Sequence, residues 1–226
     1  MGIEQSARFS SVVEDYAKAI YALEHRSGEP VGTNQLAERL GVTPGSASAM
    51  VKRLAQLGLV EHAPYHGVRL TEEGRRVALE VLRHHRLLEL FLAKALDLPW
   101  DRVHREAELL EHALSEELES VIAARLGHPT HDQHGDPIPS AELEIDEADT
   151  VGLLELEKGD EARIVRVSDS DPAMLRHLGE RGIRLGTRLR VVGHEPFGGP
   201  VLIRLGRRTE AVPLEIARSM RVQPVA

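Results

Sequence analysis

Residues Thr33–Val60 read "TNQLAERLGVTPGSASAMVKRLAQLGLV", and their punctuation decides the fold of the first third of the chain. Thr33 opens a short amphipathic run that Gly41 breaks, Thr43 and Pro44 open a second, and Gly58 closes it. Hydroxyl oxygens accept the free N–H groups at a helix start, proline suits the first helical position, and glycine takes the left-handed backbone that ends a helix. The spacing predicts helix, tight turn, helix. Downstream, "LVEHAPYHGVRLTEEG" (Leu59–Gly74) places two short apolar-containing strands around a Pro-Tyr-His-Gly turn, after which Thr71 caps another helix. Helix-turn-helix followed by a hairpin is the order of a winged helix. Upstream, Ser11 stands three residues before Glu14, a capping-box spacing, and Val13, Ala17, Ile20 and Leu23 recur at helical intervals.

Beyond this segment the pattern predicts a long helix from Thr71 to about Leu96, a break at Pro99 and Trp100, and a second helix from about Asp101 to Leu126. "GHPTHDQHGDPIPSAELEIDEADT" (Gly127–Thr150) has no periodicity and reads as a linker or ordered loop. The remainder consists of short alternating runs with glycine turns and one helix-like piece near Pro172–Arg181, the pattern of a small SH3-like β-barrel. The expected architecture is mostly α in the first two thirds, with an all-β C-terminal domain. Its segments are 1–79 (winged helix-turn-helix), 80–148 (helical) and 149–226 (SH3-like).

The chain has 226 residues, a net charge of −8 and no cysteine. Disulfides, thiolate metal sites and cysteine nucleophiles are thereby excluded. Charge is uneven: residues 1–80 carry 9 basic against 10 acidic side chains, 81–150 carry 6 against 16, and 151–226 carry 13 against 10. The middle third should attract cations, and the first third is free to present a local basic face. No apolar run is long enough to span a membrane and no signal peptide is visible, so a cytoplasmic protein is expected.

"VHREAELLEHALSEELE" (Val103–Glu119), read as one helix, stacks His104, Glu108, Glu111, His112 and Ser115 on one stripe, apart from the apolar stripe of Val103, Ala107, Leu110, Leu114, Leu118 and Val121. "RHHRLLELFL" (Arg83–Leu92) sets His85 and Glu89 four apart on the preceding helix. Imidazole and carboxylate on facing helices suit divalent transition metals. An exposed helix face with ordinary i, i+4 pairs is the competing explanation. His128, His131, Asp132 and His134 of the following loop read as a solvated, promiscuous set. Nothing marks a nucleophile, phosphate loop or catalytic pocket, so the chain does not read as an enzyme.

Together, "EDYAKAIYALE", "HRLLE", "VHREAELLEHALSEE" and "GDPIP" give the chain a resemblance over its full length to the diphtheria-toxin-repressor family of metal-dependent transcriptional regulators. That resemblance implies a DNA-binding winged helix, a helical dimerisation domain and a C-terminal SH3-like domain. It also implies a homodimer on double-stranded operator DNA and no membrane. Carried over, the primary metal site uses Asp15, Glu108, Glu111 and His112, and an ancillary site uses His85, Glu89 and His104 with Asp171 from the third domain. Met174 stands where iron-sensing members carry an amide ligand. Asp15 and Glu108 stand where iron-sensing members carry methionine and cysteine, which points to Mn2+, with Fe2+ the alternative and Co2+ or Zn2+ able to substitute in vitro. Lys18 replaces the carboxylate that short manganese sensors carry one turn after the aspartate, which favours two separate sites. DNA contacts are expected from Thr43, Ser46, Ser48, Lys52 and Arg53 on the second helix of the motif and from Tyr65, His66 and Arg69 in the wing. Ala47, Met50, Val51 and Leu54 are expected to face inward. The remaining alternative is a winged-helix regulator controlled by a small organic ligand.

Overall fold

Helix α1 (Ser11–Ser27) begins one residue after Ser10, whose side chain makes no capping bond, so the capping box expected from Ser11 and Glu14 is not formed. It ends at Gly28, which has a φ of +71° and returns its N–H to the Glu24 carbonyl. Helix α2 (Thr33–Leu40) starts from Gly32 and not from a capping Thr33; the Gln35 side chain accepts the Gly32 N–H at 3.0 Å. Helix α3 (Pro44–Gln56) follows the expected pattern, with Pro44 in the first turn and the Thr43 hydroxyl accepting the Ser46 N–H at 3.1 Å. Strands β1 (Val60–Ala63) and β2 (Gly67–Leu70) pair antiparallel, with Val60 opposite Leu70, and helix α4 (Glu72–Leu96) follows.

In this computed structural model the described residues are 9–63, 67–146 and 149–225; the wing positions Tyr65 and His66 lie outside them. The chain packs as two units. One comprises residues through His85 together with Leu109–Ala124 and Pro139–Glu144; the other comprises Arg86–Glu108, Arg125–Ile138 and the chain from Ile145 on. The middle segment, 80–148, is thus shared between them.

The first unit closes around Val13, Ala17, Ile20, Leu36, Ala47, Val51, Leu54, Leu59 and Val68, all buried. Val31 forms an isolated bridge to Val68 beside the two-stranded wing. Ala47, Val51 and Leu54 face inward as expected, while Met50 is half-buried. Burying each larger side chain contributes about 1.5–3 kcal/mol, so apolar spacing alone accounts for which faces meet.

The expected second helix is two. Helix α5 (Val103–Leu110) gives way to a single 3-10 turn at Glu111–Ala113, and helix α6 (Glu116–Arg125) starts anew. Leu114 is extended and buried, and the Ser115 hydroxyl accepts the Leu118 N–H at 3.3 Å, so a fresh helix start competes successfully with continuation. The single stripe from His104 to Ser115 is therefore not formed.

The second unit contains β3 (Val151–Gly152), β4 (Glu161–Val167), helix α7 (Pro172–Glu180), β5 (Arg188–His194), β6 (Val201–Leu205), β7 (Arg208–Val212), helix α8 (Leu214–Arg218) and β8 (Met220–Pro224). The strands form one six-stranded antiparallel sheet in the order β3-β8-β4-β5-β6-β7. Its core is Leu153, Ile164, Val167, Leu175, Leu178, Ile183, Ile203, Met220 and Val222. Val165 is the extra residue of a β-bulge between the pairs Ile164–Val222 and Arg166–Arg221. Against that bulge lies the loop before it in sequence: the Val167 N–H donates to the His134 carbonyl at 2.9 Å, and Gly135, with a φ of +85°, runs along the strand.

A Cβ on Gly135 would sit 1.9 Å from the Val165 carbonyl oxygen, whereas one on Gly127, also left-handed with a φ of +78°, would meet nothing within 4 Å. Gly135→Ala should lower the unfolding free energy by about 2–4 kcal/mol and Gly127→Ala by only ~1 kcal/mol. Urea titration followed by circular dichroism measures both; equal losses would show that the loop is not docked on β4.

Candidate metal centres and reading head

The 3-10 turn directs Glu111 and His112 at α1. Both ring nitrogens of His112 meet carboxylates there: Nδ1 is 2.6 Å from Glu14 Oε2 and Nε2 is 3.0 Å from Asp15 Oδ1. His112 Nε2 is also 3.5 Å from Glu111 Oε1, so Asp15, Glu111 and His112 present their donor atoms to one point. The Glu111 carboxylate is only 1% exposed. Lys18 Nζ donates to its Oε1 at 2.5 Å and His85 Nδ1 to its Oε2. Burial alone would raise the Glu111 carboxyl, but the His85 hydrogen bond and the Lys18 charge bring it below the ordinary carboxylate range. Around this group α4 grips the segment a second time. His84 Nδ1 contacts the Glu111 carbonyl at 3.1 Å and its Nε2 reaches Glu119 at 3.0 Å, while Arg83 donates to Glu119 at 2.6 Å and to the Pro139 carbonyl at 2.6 Å.

The second unit holds a separate cluster. Glu89, 0% exposed, accepts from His104 Nδ1 at 3.0 Å, and Asp169 Oδ2 stands 3.0 Å from the same nitrogen. Glu108 approaches the other ring nitrogen of His104, at 3.5 Å. Burial would lower the His104 pKa, yet the bonds to Asp169, Glu108 and Glu89 outweigh it and push the imidazole up to about 12. The Asp169 carboxyl, which burial alone would raise, is lowered by the same contact. His134, fully buried, sits with Nδ1 3.6 Å from Glu89 Oε2 and is raised to about 9: burial opposes the shift, and Glu89, then Asp132, override it. Asp132 Oδ1 accepts the N–H groups of His134 and Asp136 at 2.8 and 3.0 Å.

On α3, Thr43, Ser46, Lys52 and Arg53 are exposed and Ser48 is half-buried; Arg69 of β2 is exposed as well. The Thr43 and Ser46 hydroxyls are 2.9 Å apart and already occupied with capping, so the groups of this face left to extend are Lys52 and Arg53, while Arg69 donates to the Gly28 carbonyl at 3.3 Å. Such a face suits phosphate contact more than bidentate base reading.

Residues 8–68 match the iron dependent repressor N-terminal DNA binding domain, 71–140 the iron dependent repressor metal binding and dimerisation domain, and 151–224 the FeoA domain. The iron-dependent repressor IdeR of Mycobacterium tuberculosis is 33% identical over 224 residues, covering 94% of this chain and 96% of the relative. The chain belongs to the diphtheria-toxin-repressor family. The diphtheria toxin repressor of Corynebacterium glutamicum is 31% identical over 222 residues, covering 94% and 96% of the two chains. Among solved structures, a manganese-dependent transcriptional repressor in complex with manganese superposes with a TM-score of 0.89 at 40% identity, covering 94% of this chain and 100% of that one. The manganese regulator SloR gives 0.79 at 28% identity, with 94% and 98% covered.

Within this family member, the structure brings Asp15, Glu111 and His112 together and puts Glu89 with His104. His85 stands one turn before Glu89 on α4 and bonds Glu111. Glu108 lies beside His104. Asp171 is spent on capping α7, accepting from Ala173 and Met174 N–H at 2.8 and 3.3 Å; Asp169, two residues earlier, takes the place expected of it. The Ser219 hydroxyl meets the Met174 sulfur at 3.1 Å. Sequence reasoning also missed Glu14, His84 and Glu119. An Asp-Pro pair at a helix start was the available signal that Asp171 would cap.

In excess chelator, the raised pKa values of His104 and His134 contribute stability fully below about pH 6.5, the ordinary histidine value. That contribution is lost as pH rises, for His134 by about 9 and for His104 by about 12. The lowered Asp169 adds stability above its ordinary value of 3.8, lost as pH falls through its lower folded value. Thermal midpoints recorded against pH in chelator should therefore fall as pH rises from about 6.5 through 9. His104→Gln should flatten the alkaline limb; an unchanged limb would remove His104 from the network.

Proposed function

We propose that the chain is a transcriptional repressor that binds operator DNA as a homodimer, activated by a divalent cation held by Asp15, Glu111 and His112, with Mn2+ the physiological ion. The observation that carries this reading is the meeting of α1 with the 3-10 turn: Asp15 lies in the segment matching the DNA-binding model, and Glu111 and His112 in the segment matching the metal-binding and dimerisation model. The donors fit the ion in kind, being two carboxylates and an imidazole in a chain without cysteine. A divalent cation supplies the positive charge that these donors share. Asp15 then ties the start of α1 to the turn, and α1, which packs on α2 and β2, sets the attitude of α3. Glu89, His104 and Asp169 are proposed as the ancillary site, with His85 one turn away on α4. Leu109, Leu110, Leu118 and Val121 are exposed on the 109–124 segment and support its use as a dimer face.

Fe2+ is the second reading, favoured by the iron-dependent names of the curated relatives. Glu108 remains a ligand candidate on the family resemblance.

Anisotropy of a duplex selected from a random library by the manganese-loaded protein tests the whole reading. EDTA should abolish binding, Mn2+ should restore it at lower free concentration than Fe2+, Co2+ or Zn2+ relative to their cellular levels, and Asp15→Ala should raise the Mn2+ needed by roughly tenfold or more, equivalent to ~1.4 kcal/mol. A similar shift in Glu108→Ala would place that carboxylate in the same site. Binding that is indifferent to EDTA would instead support control by an organic ligand.

A further inference from the structure

On the second unit, the sheet face turned away from the core carries a cleft of about 590 Å³, within the range of roughly 300–1,000 Å³ usual for small-molecule sites. Strands β4 and β8 form its floor. Arg163 stands directly opposite Gln223 and Arg166 directly opposite Arg221, while Ile164 and Val222, between them, turn into the core. Side chains two apart on a strand share a face, so Arg221 and Gln223 point the same way and their partners with them. The bulge at Val165 makes this possible. It adds one residue to β4, and Arg166 joins Arg163 on the face that it would otherwise leave.

Two arginines directly opposite one another repel, and anions that meet them relieve the cost. The chain supplies few. Arg166 Nη1 is 3.6 Å from Asp136 Oδ1, an oxygen that Arg86 shares at the same distance. Arg221 is aimed by Thr150, whose hydroxyl accepts from Nε at 3.1 Å and whose carbonyl accepts from Nη2 at 2.6 Å. A guanidinium has five N–H groups, so these two bonds hold it in place and leave the others for a further acceptor. Arg163 is exposed, and among the described residues no carboxylate or hydrogen-bond acceptor meets its guanidinium. Of the other acids that line the cleft, Asp132 gives Oδ1 to the His134 and Asp136 N–H groups, and Asp149 is exposed.

We propose that this cleft binds a small organic dianion, a molecule with two carboxylate or phosphate groups joined by a short carbon chain. One group meets Arg166 and Arg221. The other meets Arg163 and the Gln223 amide, about 7 Å along the strands, the rise of two residues. The planar guanidinium fork suits carboxylate and phosphate alike. Leu185 and Pro137 give the cleft apolar wall for the carbon atoms. The site uses none of the residues proposed for activation or for DNA contact, so it stands or falls apart from that reading.

Isothermal titration of the manganese-loaded full chain tests it, with succinate, glutarate, adipate and 3-phosphoglycerate as two-group probes and acetate and methyl phosphate as one-group controls. At least one two-group probe should bind once per protomer and about tenfold or more tighter than either control, and Arg163→Gln should weaken it by roughly tenfold. Arg221→Gln should weaken it likewise. Among the dicarboxylates the tightest reports the spacing of the two anion seats, and a preference for 3-phosphoglycerate over all three assigns one seat to phosphate. Two-group probes no tighter than the controls, or binding untouched in Arg163→Gln, would overturn the site. Arg163 is exposed and its side chain supports nothing else, so its substitution decides the matter even where Arg221→Gln, which releases Thr150, does not fold.

Discussion

A carboxylate 1% exposed to solvent, Glu111, is the constraint on which the first unit depends. Leaving such a charge without compensation costs several kcal/mol, so the chain must bring positive groups to it. Lys18 comes from α1 and His85 from α4, one to each oxygen, and His84 takes the carbonyl of the same residue. Two elements distant in sequence, α1 and α4, are thereby fixed to one short turn. The helix break follows from the same demand: an uninterrupted helix from α5 to α6 would keep Glu111 and His112 in helical register with Glu108, and the turn lets them leave it to face α1 while Glu108 stays beside His104.

Much of the fold was legible because its signals are local and redundant. Thr43, Pro44 and Gly58 bracket α3 by backbone chemistry that needs no tertiary partner, and the wing is two strands about a glycine-bearing turn. The break at Glu111–Ala113 was not legible, since "EHALSEE" contains neither glycine nor proline and every residue in it tolerates a helix. What stops the helix is buried Leu114, the Ser115 cap and the burial of Glu111, all of which exist only once the unit has packed. The failed cap at Ser11 has the same origin, Glu14 being drawn to His112, whereas at α2 the helix starts one residue early and the Gln35 side chain accepts the Gly32 N–H.

The candidate sites divide along similar lines. Asp15, Glu111, His112, Glu89 and His104 were reachable from residue type and spacing joined to the family resemblance. Asp169 lies two residues from Asp171, whose match to the family's ligand position competes in sequence with a capping role before Pro172, and in the structure the cap claims Asp171. His134 reads in sequence as a solvated histidine in a histidine-rich loop. Its burial depends on Gly135, whose left-handed backbone permits contact with the Val165 carbonyl, and on a β-bulge that presents that carbonyl. Neither feature has a signature in composition.

Exposure then distinguishes the partners within the first cluster. Glu111 is held at 1% exposure by three neighbours, His112 is at 20%, and Asp15 is at 42%. Ion-pair strength falls as solvent screening rises, so the Asp15–His112 contact is the weakest of the set taken alone and the one a shared cation would strengthen most. The buried residues of the turn keep their place through α4 irrespective of Asp15. The variable quantity is therefore the tether on the first turn of α1, and that turn begins the helix against which the reading head is packed. On the proposed reading, control applied there would need no rearrangement of a core: one exposed carboxylate at a helix start would fix or release α1, on which α2 and β2 pack.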